Sequence, residues 1–281
     1  MKRFHLLTVL IVLLTGCTHD GFEPMALKDK DAVNILFLHH STGNVIYKGS
    51  AEDGQSDVQK WFDDYNLTQH AKFNFVHQYF PKSKKYHFFG YGWENYPYDY
   101  YNIWVKNQKD RVFKGEPSLD LLTGHWDVVV LKHCFPVSAV NYSKEGNIDS
   151  SVKTIENYKL QYEALRLKMN EYPNSKFIVW TGAALTKGAT TEEQAVCSKD
   201  FFQWVKQEWD RPNDNIFLWD FFELETAGGI YMNDEYASSP NDSHPNKYFA
   251  AMVAPLFCQR VVDVVINQGE RTDLTGNYLE D

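Results

Sequence analysis

Cysteine is scarce in this chain, with four in 281 residues. Beyond the N-terminal region only Cys134, Cys197 and Cys258 remain, so at most one disulfide can form and the fold does not rest on a disulfide framework. Basic stretches are lacking as well. Lys and Arg number 28 against 37 Asp and Glu, a formal charge of -9. No basic run offsets that balance, which argues against nucleic acid as a partner. No internal repeat stands out, and a hydrophobic content of 43% is ample for one sizeable core. One domain is the simplest reading.

The N-terminus has an apolar run, but a short one. Lys2 and Arg3 precede Leu6 to Leu14, too short to span a bilayer and laid out like a secretory signal. It ends in Leu14-Thr15-Gly16-Cys17, which resembles a bacterial lipobox. That resemblance implies lipidation at Cys17 and a membrane tether outside the cytoplasm through the N-terminal lipid. Residues 1–17 then form the signal with its lipobox cysteine, 18–32 a polar tether, 33–268 the folded domain and 269–281 a loose tail.

Within the domain, five short apolar segments read as strands: Asn34 to His39, Lys72 to Gln78, Asp127 to Lys132, Lys176 to Thr181 and Asn215 to Asp220. Helical faces lie between or after them. Ile155, Tyr158, Tyr162, Leu165 and Met169 recur at three and four residues, with Asp149 or Ser150 placed to cap and Pro173 just past the end. Thr190 with Glu193 makes a capping-box pattern ahead of Val196, Phe202, Val205 and Trp209. The last face runs from Phe249 to Val264, with Pro255 expected to kink or divide it. Strands alternating with helices predict an α/β fold with a parallel sheet covered on both faces.

The first strand, Ile35-Leu36-Phe37-Leu38, ends abruptly in His39-His40-Ser41-Thr42-Gly43-Asn44. In open α/β sheets ligands bind outside the carboxyl ends of the strands, so Ser41 stands where chemistry is normally placed. Gly43 lets the backbone turn and leaves N–H groups free to face a developing negative charge. The competing reading is that Ser41 and Thr42 only cap the next helix. Near the other end, Asp242 and His244 lie in Ser239-Pro240-Asn241-Asp242-Ser243-His244-Pro245, ahead of the last helix. A serine hydroxyl needs a base to take its proton, and the base needs a carboxylate to fix its tautomer. This pair supplies both.

With those residues in place, the chain resembles the SGNH, or GDSL-like, hydrolase superfamily over most of residues 31 to 268. Ser41 matches the family's block I serine, with His40 where Asp of Gly-Asp-Ser is usual. His244, followed by Pro245, matches the block V histidine. Asp242 departs from the usual Asp-x-x-His spacing, since Asn241 holds that position. The resemblance implies a three-layer α/β sandwich with a five-stranded parallel sheet, flavodoxin-like and of SGNH hydrolase type. It further implies a serine esterase with Ser41, His244 and Asp242 as nucleophile, base and orienting acid, and no cofactor or metal. The family usually adds a block II glycine and a block III asparagine to the oxyanion hole. Gly90 or Gly92 is offered for the first, but the chain reads Lys132-His133-Cys134-Phe135-Pro136 after the third strand, with no Gly-x-Asn. The expected oxyanion donors are therefore the backbone of Ser41 and Gly43 and the ring of His133, an imidazole N–H being a better donor than a thiol.

One segment breaks the strand–helix rhythm. Tyr79 to Trp104 holds twelve aromatics in 26 residues, interrupted by Gly90, Gly92 and Pro97. Most of these rings are expected to cover the core, while His40, Trp93 and Tyr96 are the candidate substrate contacts at a rim. Cys134 beside His133 is a poor rival nucleophile, because neighbouring strand residues point to opposite faces, and the same geometry separates His39 from His40 as a metal pair. Two functions of different class remain. One is an exported esterase removing acetyl or other small acyl groups from carbohydrate or a small ester; the other is a lipoprotein of the same fold that only binds glycan.

Overall fold

The computed structural model describes residues 28–51, 54–82, 92–271 and 275–276. Cys17, the signal, most of the tether and Gly90 lie outside the described residues. In chain order the elements are β1 (Val33–His39), α1 (Ser41–Lys48), α2 (Asp57–Gln69), β2 (Phe73–Tyr79), α3 (Pro97–Tyr101), the short pair β3 (Val112–Phe113) and β4 (Glu116–Pro117), α4 (Leu119–Thr123) and β5 (Val128–Leu131). There follow α5 (Ile155–Asn170), β6 (Lys176–Trp180), α6 (Glu192–Trp204), β7 (Ile216–Trp219), α7 (Phe221–Thr226), β8 (Ala237–Ser239), β9 (Asp242–Pro245) and α8 (Lys247–Ile266).

The five expected strands form one parallel sheet in the order β2-β1-β5-β6-β7. The three-layer α/β sandwich is thus the observed architecture. Because β1 is buried on both sides, its residues alternate between two cores rather than between core and water. Leu36 and Leu38 join the cluster under α3, α5 and α6, with Tyr100, Tyr158 and Phe201. Ile35 and Phe37 join the cluster under α1, α2 and α8, with Ile46, Phe62 and Phe257. Phe257 alone packs its ring against Phe37, Phe75, Trp180 and Trp219 at 4.7–6.0 Å. A buried ring of this kind is worth about 1.5–3 kcal/mol in transfer energy.

Local chemistry shifts several boundaries. Thr154, not Asp149 or Ser150, caps α5 by accepting from the Asn157 N–H. The cap of α6 is Thr191, whose hydroxyl accepts from Gln194 N–H at 3.2 Å, one residue beyond the expected Thr190–Glu193 pair. Pro255 neither ends nor divides α8, which runs unbroken for 20 residues. All three described cysteines are free and buried.

The strand order decides where a site can be. From β1 the chain moves outward to β2, then returns to the other side of β1 through β5 and continues to β6 and β7. The carboxyl ends of β1 and β5 therefore flank the point where strand order reverses, the usual crevice of such sheets. Ser41 leaves β1 there and Cys134 leaves β5.

Candidate active site

Ser41 is the first residue of α1, and the N-cap is His40, whose side chain makes no capping bond. The capping reading of Ser41 is thereby overturned: its hydroxyl caps nothing and lies 3.2 Å from Cys134 Sγ. The first-turn N–H groups of a helix have no intrahelical acceptor and point outward along its axis. Those of Ser41 and Gly43 are of this kind. Gly43 is required by close approach, since a Cβ there would sit 2.5 Å from His39 Cβ and 2.8 Å from Lys132 Cδ.

The two histidines before Ser41 leave β1 in different directions, as adjacent strand residues do. His39 is fully buried, with Nε2 2.9 Å from His77 Nδ1 and the two rings stacked at 5.1 Å. Burial and the neighbouring His77 hold its pKa well below the usual imidazole value, so it stays neutral. His40 is 2% exposed and its Nε2–H donates to the Pro81 carbonyl. It anchors the segment after β2 instead of meeting a substrate, which corrects its assignment as a contact.

That segment is held from below by a carboxyl. Lys82 N–H donates to Glu116 Oε1 at 2.5 Å, while burial pushes the Glu116 pKa up to about 8. A carboxyl that binds its proton more tightly folded than unfolded makes stability fall as pH rises from the ordinary glutamate range through about 8. Glu116→Gln is accordingly expected to raise Tm relative to wild type more at pH 8 than at pH 5, measured by thermal denaturation at both. Equal shifts at the two pH values would contradict this.

The Asp242–His244 pair is built on a hairpin that the sequence reads as loop. β8 and β9 pair antiparallel, and β9 carries Asp242, Ser243 and His244. Side chains two apart on a strand share a face, which is why the short Asp-x-His spacing works here. His244 Nδ1–H donates to Asp242 Oδ1 at 2.6 Å, and the His244 backbone N–H donates to the same oxygen at 3.1 Å. The contact leaves Nε2 as the lone-pair nitrogen. Those hydrogen bonds hold the Asp242 carboxyl below its usual range, so it is ionised at neutral pH. Ser243 faces the other way, is buried, and accepts from the Thr186 N–H at 2.9 Å, pinning the hairpin to the chain after β6.

Ser41 and His244 are brought to the same corner but share no hydrogen bond. The link runs through the end of β5: Cys134 touches Ser41, and the next residue, Phe135, meets the His244 ring edge-on at 5.0 Å. Cys134 is the residue sequence reasoning passed over. His133, offered as the oxyanion donor, turns to the opposite face, between Tyr100 at 4.8 Å and Tyr162 at 5.6 Å. It is fully buried, its pKa is pushed down to about 3 by burial and the nearby Lys132, and it does not reach Ser41. The parity of β5 explains the swap. Leu131 faces the α5 side with Val129, so Lys132 and Cys134 face the α1 side.

The aromatic contacts also need correction. Trp93 and Tyr96 are 6% and 5% exposed, and both belong to the core cluster under α5. Tyr96 O–H donates to the Ser151 carbonyl at 2.9 Å. Neither forms a rim. Among the described residues, an open cleft of about 420 Å³ lies at the opposite, amino ends of β6 and β7, lined by Asn170, Lys176, Asn215 and Gln268. It is on the wrong edge of the sheet for strand-end chemistry.

No protein-family model matches the chain, and no curated protein matches it. Two solved structures are similar to it. One is a gut microbial diltiazem-metabolizing enzyme, at 13% identity and a TM-score of 0.46, covering 83% of this chain and 48% of its own. This chain therefore spans about half the length of that protein. The other is described as a GDSL-like lipase from Parabacteroides merdae, at 14% identity and a TM-score of 0.43, covering 83% of this chain and 97% of its own.

Proposed function

We propose that this chain is a serine hydrolase of the SGNH type that cleaves carboxylic esters, with small acyl groups on carbohydrate as the substrate class. The observation that carries the reading is the 2.6 Å Asp242–His244 pair, set on a pinned strand beside the helix that Ser41 begins. In the reaction, Ser41 Oγ attacks the ester carbonyl while its proton passes to His244 Nε2, and the carbonyl π pair moves onto oxygen. The Ser41 and Gly43 N–H groups face that oxyanion. Collapse expels the alcohol, protonated by His244, and water repeats the sequence on the acyl-enzyme. The apo distance between serine and base is expected to tighten when substrate fills the corner. Export of the chain and its tethering through Cys17 belong to the same proposal, and they place it where acylated polysaccharide would be met.

The test is a panel of acetylated polysaccharides and aryl acetates assayed for acetate release. Release supports the hydrolase; binding of a polysaccharide with no acetate released would favour the glycan-binding alternative. Asp242→Asn is expected to lower kcat by about 10²-fold, less than the roughly 10⁴ typical of a buried triad carboxylate, because the Asp242 side chain is 51% exposed and water takes up part of its role. Asn241→Ala is expected to stay within about twofold, and the reverse ranking would reassign the acid.

A further inference from the structure

Lys132 is an anomaly in this fold. Its side chain is fully buried, and its Nζ has no hydrogen-bond partner among the described residues. The stem runs along the first turn of α1, with Cδ against Gly43. Its backbone is fixed by an N–H bond to the Leu38 carbonyl at 3.3 Å, which continues the β1–β5 ladder. Cys134, two residues on with extended backbone, faces the same side. The charged and titratable groups around the ammonium are His39 from β1, His133 and Cys134 from its own segment, and Glu225 from α7. Glu225 is itself fully buried, with Oε2 accepting from the Ala184 N–H at 2.7 Å and Oε1 unpartnered. Burial without a direct partner lowers the Lys132 pKa, and Cys134 and Glu225 act against that shift. Lys132 and the thiol that touches the serine lie on the same face of this segment.

We infer that Cys134 S–H is the side-chain donor to the oxyanion, in place of the absent asparagine, and that Lys132 is the positioning residue whose field polarises that thiol. This rests on the hydrolase reading above. The Sγ lies 3.2 Å from Ser41 Oγ, so an oxygen on the carbon bonded to Ser41 comes within its reach. A neutral thiol is a weak donor. A nearby cation draws charge from sulfur and strengthens the S–H dipole, and burial keeps water from screening that field. No bond to sulfur forms: the thiol keeps its proton, the oxyanion accepts the hydrogen bond, and His244 alone transfers a proton.

Steady-state hydrolysis of an aryl acetate by wild type, Lys132→Met, Cys134→Ala and the double variant tests this. Cys134→Ala is expected to lower kcat by about 10- to 10²-fold with KM within twofold, at or below the range for loss of a strong oxyanion donor. Lys132→Met is expected to lower kcat about tenfold in the Cys134 background and to change it less than twofold in the Cys134→Ala background, since the lysine acts through the thiol. Iodoacetamide alkylation of native Cys134, followed by mass, is expected to slow about tenfold in Lys132→Met, a readout that packing alone would not move. Removing an unpaired buried ammonium should preserve Tm; Lys132→Gln serves if the Met variant does not fold. An unchanged kcat in Lys132→Met, or an equal loss in both backgrounds, overturns the inference. If wild type hydrolyses no ester and a phosphonate leaves Ser41 unmodified, the hydrolase reading fails instead. The alkylation rates then still judge the lysine–thiol coupling, equal rates overturning it.

Discussion

Ser41→Ala is expected to lower kcat for ester hydrolysis by about 10⁴-fold or more and to leave the protein folded. The size follows from removing the atom that attacks: what survives loss of a triad member is background catalysis by binding and the oxyanion hole. The harmlessness to folding follows from the site. Ser41 is half-buried, caps no helix end, and among the described residues its hydroxyl touches only Cys134. Such a change normally costs within about 0.5 kcal/mol. The measurement is kcat together with a thermal melt on the same sample. A folded Ser41→Ala protein with wild-type turnover would remove the nucleophile from the account.

His244→Ala is expected to have an effect of similar size, about 10⁴-fold in kcat. Among the described residues the ring meets Asp242 Oδ1 at 2.6 Å and Phe135 in a T-shaped pair, and 35% of the side chain is exposed. An exposed pair of this kind adds little to stability, so the loss should appear in turnover and not in Tm. The hairpin itself is held elsewhere, by Ser243 on Thr186 and by Asn246, whose side chain accepts from Phe249 N–H at 2.9 Å. Loss of the ring removes the larger of the two bonds that hold the Asp242 carboxyl down, so it should titrate higher than in wild type while the residue-244 N–H still holds it below its ordinary range. Imidazole in the buffer is expected to restore part of the rate to His244→Ala and none to Ser41→Ala. Equal rescue of both would show that buffer catalysis, not the empty position, is being read.

The sheet was legible because each strand is a short apolar run with turn residues at its ends, and its parallel order follows from the helices between. The place of Ser41 at the carboxyl end of β1 was legible for the same reason, since it stands where the first run stops. The face of each residue past a strand end was harder. A strand buried on both sides shows no alternation, so nothing in Val128-Val129-Val130-Leu131 marks which neighbour of Leu131 turns to α1. Donor strength favours His133 over Cys134, and donor strength says nothing of which face a side chain takes. Counting parity from Leu131 would have found Cys134 only if the face of α1 were already known. Trp93 and Tyr96 were misplaced because aromatic content reports area to be buried, not whether a partner buries it. The Asp-x-His spacing reads as loop in the sequence, whereas β9 puts the two side chains on one face, where His244 Nδ1–H donates to Asp242.

The most direct measurement is intact-mass analysis of the wild-type protein after treatment with a fluorophosphonate, with the modified residue located by peptide mapping. A phosphonate bonds only to a serine oxygen whose proton is taken and whose attack is stabilised at a tetrahedral centre. The account predicts one adduct, on Ser41, absent in Ser41→Ala and strongly slowed in His244→Ala. An unmodified wild-type protein, or an adduct on any other residue, would contradict it.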